Sequence, residues 1–338
     1  MTGVPNGVVV SGTGGIWQVW TADATMVEAS LRGRLKKTDE GRRTDGSMRR
    51  DTVAAADRTL KLAVGDAVRV DQDGAEGAWT ISEILPRRSK LARRAPGGGY
   101  GERIVAANVD QVVIVFAAAR PEPHPRMLDR FLVVAEANDL AGRIVVNKVE
   151  LLGGGDAVEG AAVVREQFAD YEKAGYPLHT TSVARRHGLD ELRSALVGRT
   201  SALSGPSGVG KSSLMNALYP GLNLRVGEVS ESVNKGRHTT VGALLHPLPS
   251  VDGAPGGFVV DTPGLREIGM WGLSVDQLDG CFPEIRVHRD RCRFADCAHV
   301  AEPGCAVREA VDAGVVSRAR YESYCKLREE IAEGPPIQ

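Results

Sequence analysis

The chain lacks the features that would tie it to a membrane or to an oxidising compartment. No apolar run approaches the roughly 18 residues that a membrane span needs. The amino terminus lacks the basic-then-apolar layout of a secretion signal. No membrane-spanning helix is expected, and a cytoplasmic protein is the default reading. Cysteine is scarce: there are five in 338 residues, an odd number that argues against a disulfide framework and toward metal ligation for those that cluster. Overall charge is also missing, at −1, so the whole chain is not a polyelectrolyte and only its local charge distribution is informative.

What is present is an ordinary globular composition, 42% hydrophobic and 25% charged, in a length that fits two or three domains. The charge is uneven. Between Leu31 and Arg50 eight basic residues stand against three acidic ones, and Arg87–Arg94 carries five basic residues and no acid. Such runs fit either a solvated surface or attraction to nucleic-acid phosphates.

Three regions follow one another. In residues 1–95, short β-prone stretches alternate with turns: Gly7–Val10, Ile16–Trp20, Thr25–Glu28, Ala67–Val70 and Trp79–Ile84. This pattern suits a small oligonucleotide-binding (OB) barrel, though a small β-sandwich would share it. Asp39–Asp57 reads as a loop between strands and Pro96–Gly101 as a linker. Residues 96–270 alternate strand and helix signals. Strands are expected at Val112–Phe116, Ile144–Val146, Leu178–Thr181, Ser201–Ser204 and Phe258–Val260. Helices are expected from Pro125, around Val163–Ala174, from Leu189 and over Ser213–Leu218. This is an α/β domain with a mostly parallel sheet, whose ligands bind at strand C-terminal ends. Residues 271–338 give no strand signal; Ser274 reads as a helix cap, and helices are expected near Ala306–Ala313 and Ser317–Ala332.

The middle region carries nucleotide-binding motifs in an unusual order. Asn147-Lys148-Val149-Glu150 comes first, Gly205-Pro-Ser-Gly-Val-Gly-Lys211-Ser212 second and Asp261-Thr-Pro-Gly264 third. An ordinary GTPase has the Asn-Lys turn last, yet no Asn-Lys pair occurs in the 74 residues after Gly264. The nucleotide domain therefore reads as circularly permuted.

Each motif implies a chemistry. Glycines at 205, 208 and 210 let backbone N–H groups, with those of Ser207 and Val209, turn inward around a phosphate where a Cβ would intrude. Lys211 would then pair with β- and γ-phosphate oxygens, and Ser212 would ligate Mg²⁺ at the start of a helix running on through Ser213. Asp261 would hold Mg²⁺ through a water, and the Gly264 amide would meet the γ-phosphate. In the Asn-Lys turn the final carboxylate accepts two N–H bonds from guanine that adenine cannot supply. Here it is Glu150 and not the usual Asp, which moves the charge by about 1.5 Å, one carbon–carbon bond. Thr181-Ser182-Val183, after a strand, sits where a GTPase places the loop supporting the guanine ring, with Ser182 the candidate contact. Gly236-Arg-His238-Thr239-Thr240 can supply a switch threonine to Mg²⁺, either Thr240 or Thr239. Leu265 occupies the position where many GTPases have the Gln that orients water, which leaves His238 as the nearest polar candidate for that task.

Cys292-x₄-Cys297-x-His299-x₅-Cys305 gathers three thiols and one imidazole within fourteen residues. Three sulfurs and one nitrogen suit a closed tetrahedral Zn²⁺ site, structural and not hydrolytic. Cys281 and Cys325 lie outside this spacing and read as plain thiols.

Taken together, the permuted motif order, the phosphate loop Gly205–Ser213, Gly236–Thr240, Asp261–Gly264 and the cysteine finger resemble the bacterial ribosome small-subunit-dependent GTPase A family, over nearly the whole chain. The resemblance implies an all-β OB-type barrel, an α/β circularly permuted P-loop GTPase domain and an α-helical zinc-binding domain. It also implies a monomeric late assembly factor that binds the small ribosomal subunit and its rRNA, with GTP or GDP, Mg²⁺ and one Zn²⁺ as cofactors. Family members hydrolyse GTP faster on the subunit, hydrolysis promotes release, and the histidine matching His238 is proposed to carry it. Glu150 and the long Arg-rich loop depart from the family pattern. A nucleotide-gated RNA-binding module with negligible turnover, and an ATPase on account of Glu150, are the competing readings.

Overall fold

In the computed structural model the described residues are 6–32, 61–72, 77–94, 102–224, 243–250, 253, 256–261 and 273–334. The expected Asp39–Asp57 loop and Pro96–Gly101 linker lie outside them.

Five short strands close on themselves at the amino-terminal end. They are β1 (Gly7–Thr13), β2 (Ile16–Thr21), β3 (Met26–Leu31), β4 (Ala67–Gln72) and β5 (Trp79–Ile84), in the order β1-β2-β3-β5-β4 and back to β1. The β3–β5 pair is parallel and the others antiparallel. Alternation along each strand buries Val9, Val19, Ala29, Val68, Val70 and Ile81 in the interior, because successive side chains point to opposite faces. Closure removes sheet edges and decides for a barrel over a sandwich.

A hairpin then follows that the sequence pattern did not reveal: β6 (Lys90–Arg94) pairs antiparallel with β7 (Glu102–Ala107). Part of the basic run Arg87–Arg94 is thus a strand. Arg87 donates to both oxygens of the fully buried Asp66 at 2.6 and 2.7 Å, tying the barrel to the segment that leads into the hairpin. Asn108 reinforces the junction, accepting from the Arg88 N–H at 2.8 Å and donating to the Gly65 carbonyl at 2.9 Å.

The six-stranded sheet is built from β8 (Gln111–Ala117), β9 (Ala141–Asn147), β10 (Leu178–Thr180), β11 (Thr200–Ser204), β12 (Leu244–Pro247) and β13 (Phe258–Asp261). Its order is β10-β9-β8-β11-β13-β12, with every pairing parallel except that of the edge strand β12. β8 is buried along its whole length, which explains its unbroken apolar run: helices cover both faces of a parallel sheet. On one face lie α1 (Pro125–Glu136), α2 (Ala157–Gln167) and α3 (Ala169–Lys173), burying Leu128, Phe131, Leu132, Ala161, Val164 and Tyr171. On the other lie α4 (Leu189–Leu196) and α5 (Lys211–Leu218), burying Leu192, Leu196, Leu214 and Met215. The helix expected around Val163–Ala174 is in fact two, α2 and α3, broken at Phe168; α2 starts earlier than expected, at an Asp156 cap that accepts from Val158 and Glu159 N–H.

The carboxy-terminal part is helical, with α6 (Pro283–Arg289), α7 (Ala306–Asp312) and α8 (Arg318–Glu333). Ser274 caps only a 3₁₀ turn, Val275–Gln277, through a capping box with Gln277. A second such turn, Asp279–Cys281, leads into α6, a helix absent from the sequence reading. The core of this part is Leu278, Phe282, Ile285, Val307, Val311, Tyr324 and Leu327, and Val133 of α1 belongs to the same cluster.

A buried charge cluster crosses that seam. Arg320 of α8, 3% exposed, donates to Asp129 of α1 and to Glu284 of α6, the latter at 2.7 Å. Its guanidinium also lies 4.7 Å from the Phe282 ring centroid and 5.0 Å from that of Tyr171. These carboxylates hold the Arg320 guanidinium well above its ordinary value despite the opposing effect of burial. No described helix is long and apolar enough to cross a membrane.

Candidate nucleotide site and metal cluster

Parallel strands carry the described nucleotide motifs to one edge of the sheet. Asn147 ends β9, beside Ala117 of β8; Ser204 ends β11; and Asp261 ends β13, in register with Leu203 of β11. These are the carboxyl ends of the strands, where an open α/β sheet leaves a crevice for ligands.

The phosphate loop runs from Gly205 to Gly210, between β11 and α5. Gly205 has φ +127°, and a Cβ there would come within 2.0 Å of the Val115 carbonyl oxygen. Gly210 has φ +94° and caps α5; a Cβ there would meet Asn147 Nδ2 at 2.7 Å. Both glycines are therefore required by close approach as well as by backbone conformation. Ser207 and Gly208 are exposed at the loop's tip, while Val209 and Ser212 are buried and Ser213 half-buried in α5. Lys211 folds back over the loop, donating to the carbonyls of Gly205 at 2.8 Å and Pro206 at 2.6 Å.

The Asn-Lys turn locks onto this loop. Asn147 Nδ2 donates to the Val209 carbonyl at 3.0 Å, and its Oδ1 accepts from the Thr181 hydroxyl at 3.2 Å. Lys148, in the left-handed region at φ 62°, sends Nζ to the Gly208 carbonyl at 2.6 Å and to that of Arg120 at 2.8 Å. Motifs about sixty residues apart in sequence thus share one set of hydrogen bonds. Glu150 lies in the 3₁₀ turn Val149–Leu151 that follows this pair, and its Oε2 is buried with no hydrogen-bond partner among the described residues. A buried carboxylate oxygen without a donor is costly unless a ligand supplies one, and the N–H edge of a guanine is such a donor. Ser182 is fully buried, and its hydroxyl oxygen accepts from the Arg185 N–H at 3.0 Å, shaping the loop after β10.

Of the remaining candidates, His238, Thr239, Thr240 and Gly264 lie outside the described residues, as does the side chain of Asp261. Sequence reasoning placed Thr181 in the base-supporting loop but not its hydroxyl bond to Asn147, and it did not single out Arg120, whose contribution is a carbonyl aimed by the fold.

The second cluster lies in the helical part. Ligand atoms of Cys292, Cys297, His299 and Cys305 all fall within 4.8 Å of one another. His299 Nδ1 is 3.5 Å from the sulfurs of Cys292 and Cys305, which are 3.9 Å apart. Tetrahedral zinc bonds of ordinary length would give about 3.6 Å and about 3.8 Å for these separations, so the donor set fits such an ion. The loop is held from outside the ligand set. Glu302 accepts N–H bonds from Ala298, Val300 and Ala301, and Tyr321 and Tyr324 donate to the carbonyls of His299 and Ala298. Partial burial opposes ionisation of Glu302, but these N–H groups and its own bring the carboxyl down to about 2. Burial pushes the Cys297 thiol up to about 12. Burial also acts on Cys292, yet the N–H groups of Val307 and Ala306 bring that thiol below its ordinary value. Three adjacent thiolates need a cation to coexist. Cys281, outside the set, is a buried thiol that burial raises to about 12.

Comparison with known proteins agrees with this geometry. The family model described as RsgA GTPase matches residues 84–271. The Small ribosomal subunit biogenesis GTPase RsgA of Gemmatimonas aurantiaca is 58% identical, covering 98% of this chain and 99% of that protein. The protein of the same name from Bacteroides fragilis is 35% identical, over 97% of each chain. Among solved structures, YjeQ from Thermotoga maritima superposes with a TM-score of 0.74 at 32% identity, covering 98% of this chain and 99% of that one. YloQ, a circularly permuted GTPase, does so at 0.70 and 27% identity, covering 99% and 97%. A model spanning more than half of the chain and a relative matched over nearly its full length place this chain in the RsgA GTPase family.

Proposed function

We propose that this protein is a GTPase of small ribosomal subunit biogenesis, acting as a late maturation factor and hydrolysing GTP to promote its own release. The observation that carries the reading is the joining of the permuted motifs into one site: Asn147 and Lys148 hydrogen-bond to the carbonyls of Val209 and Gly208 in the phosphate loop. The name borne by full-length relatives supplies the ribosomal context. Such a factor acts in the cytoplasm, as a monomer, with no membrane partner.

The residues divide the work as follows. Asn147, Lys148, Glu150 and Ser182 hold the guanine. The loop from Gly205 to Gly210, with Ser207, Val209 and the helix start through Ser213, cradles the phosphates. Lys211 neutralises charge on the β- and γ-oxygens as it develops. Ser212 and a switch threonine, Thr240 or Thr239, would hold Mg²⁺, with Asp261 and Gly264 closing the γ-phosphate side. His238 takes the place of the missing glutamine toward the attacking water. Bound magnesium supplies electrostatic stabilisation of the phosphate oxygens. The zinc cluster is structural, and the barrel and the zinc-bearing helical module contact rRNA. The corresponding domains are 1–95, 96–270 and 271–338.

GTP turnover by the purified chain, with ATP as control, tests this reading in the presence and absence of purified small subunits. A GTP-selective rise with small subunits and not with large ones is expected. His238→Ala should abolish that rise, by about 100-fold or more, without changing GDP affinity. An unchanged turnover on small subunits would leave a nucleotide-gated RNA binder instead.

A further inference from the structure

His299 uses its two ring nitrogens in different directions. Nδ1 faces the sulfurs of Cys292 and Cys305 at 3.5 Å each. Nε2, on the far side of the ring, lies 3.5 Å from Oδ2 of Asp279, twenty residues earlier in the chain. His299 is 1% exposed, and Nε2 has no hydrogen-bond partner at normal geometry among the described residues. An imidazole that gives its Nδ1 lone pair to a cation must carry its proton on Nε2, and in a buried site that N–H requires an acceptor. The other oxygen of Asp279 is already engaged, accepting the Gly280 N–H at 2.7 Å and lying 3.6 Å from Arg289. That arrangement fixes the carboxylate with Oδ2 toward the imidazole.

We propose that Asp279 is the positioning residue of the metal cluster, holding His299 in its Nε2-protonated form with Nδ1 aimed at the ion. This rests on the reading that the cluster binds zinc. Ligand histidines gain basicity and orientation from such a partner. The position of Asp279 gives the contact a second consequence. The turn Asp279–Cys281 packs on α1, and the Gly280 carbonyl accepts from Arg286, which also donates to Glu136 at the end of α1 at 3.1 Å. One turn therefore serves both the metal cluster and the seam with the nucleotide domain.

The test uses full-length protein and zinc itself, read by competition with a chromophoric chelator. One zinc per wild-type chain establishes the ion; a wild-type chain without zinc removes the underlying reading, and this proposal with it. Asp279→Ala is expected to weaken zinc binding by about 10- to 100-fold. Asp279→Asn, whose amide oxygen still accepts, should recover part of the loss. Arg289→Ala, which leaves Oδ2 in place, should stay within about threefold of wild type. In the zinc-loaded wild type the His299 Nε2–H should give a slowly exchanging ring N–H resonance, and Asp279→Ala should abolish it. Wild-type zinc affinity and an unchanged resonance in Asp279→Ala would overturn the proposal. So would an equal loss in Arg289→Ala, which would trace the effect to the fold of the turn.

Discussion

Replacing Glu150 by Gln inverts half of the hydrogen-bonding edge offered to the base while leaving size and shape unchanged. In the proposed site the carboxylate accepts from two N–H groups of guanine. The Gln oxygen can still accept one of them, but its NH₂ then faces the other donor. A hydrogen bond to a charged group contributes about 1.5–3 kcal/mol. Glu150 is half-buried, with Oε2 the buried oxygen, so solvent screening places the loss toward the lower end. Losing one charge-assisted bond outright and weakening the other should cost about 2 kcal/mol, or about 30-fold in GDP affinity. Xanthine carries a carbonyl where guanine has its exocyclic amine, and the Gln NH₂ can donate to it. Glu150→Gln should therefore bind xanthosine diphosphate better than wild type does. Titration with fluorescent guanosine and xanthosine diphosphates measures both. GDP affinity within fivefold of wild type, with no gain for the xanthine nucleotide, would refute the assignment of Glu150 to the base.

Three further outcomes follow from the packing. A Cβ at Gly160 of α2 would sit 1.9 Å from the Val149 carbonyl oxygen, a backbone atom that cannot rotate away; Gly160→Ala should cost about 1–3 kcal/mol and weaken GDP binding by displacing the Asn147–Glu150 turn, as thermal denaturation and nucleotide titration would record. Arg320→Met leaves Asp129 and Glu284 buried without their cation and should destabilise by about 3–5 kcal/mol in urea, whereas adding Asp129→Leu and Glu284→Leu should restore most of the loss. The third concerns His179, which accepts from Arg143 through Nε2 at 2.6 Å and faces Glu191 through Nδ1. Burial, and then Arg143, hold the His179 imidazole below its ordinary value. As pH falls the unfolded chain takes up this proton first. The stability associated with the neutral ring is thus present above about pH 6.5 and lost between there and the lower folded-state value. His179→Gln, which keeps an acceptor for Arg143, should flatten that part of the stability profile in urea titrations at successive pH values.

The fold was most legible where contiguous residues dictate local geometry. All five barrel strands, the fully buried β8 and the helix from Pro125 were readable because period-2 alternation, the apolar run Val112–Phe116 and a proline at the first helical turn are each local signals. The hairpin β6–β7 was hidden because Arg87–Arg94 reads as a charge run, and its pairing partner lies beyond a glycine-rich segment. The short helix α6 was missed for a related reason: Pro283-Glu-Ile-Arg-Val-His-Arg289 buries only Ile285, too little for a periodic pattern.

The site divides in the same way. The sequence by itself determined the phosphate-loop motif, the permuted order of the motifs and the Cys-x₄-Cys-x-His-x₅-Cys pattern of candidate ligands, since each is a short string whose residue types must occur at fixed spacing. Only the tertiary structure decided that Asn147 anchors to Val209, that Thr181 orients it, that Asp279 stands behind His299 and that Arg320 meets Asp129 across the seam. The physical reason is degeneracy. The chain holds 43 acidic residues, any of which could in principle pair with a histidine or an arginine, and no spacing rule singles out Asp279 or Asp129 until packing brings them within reach and excludes water.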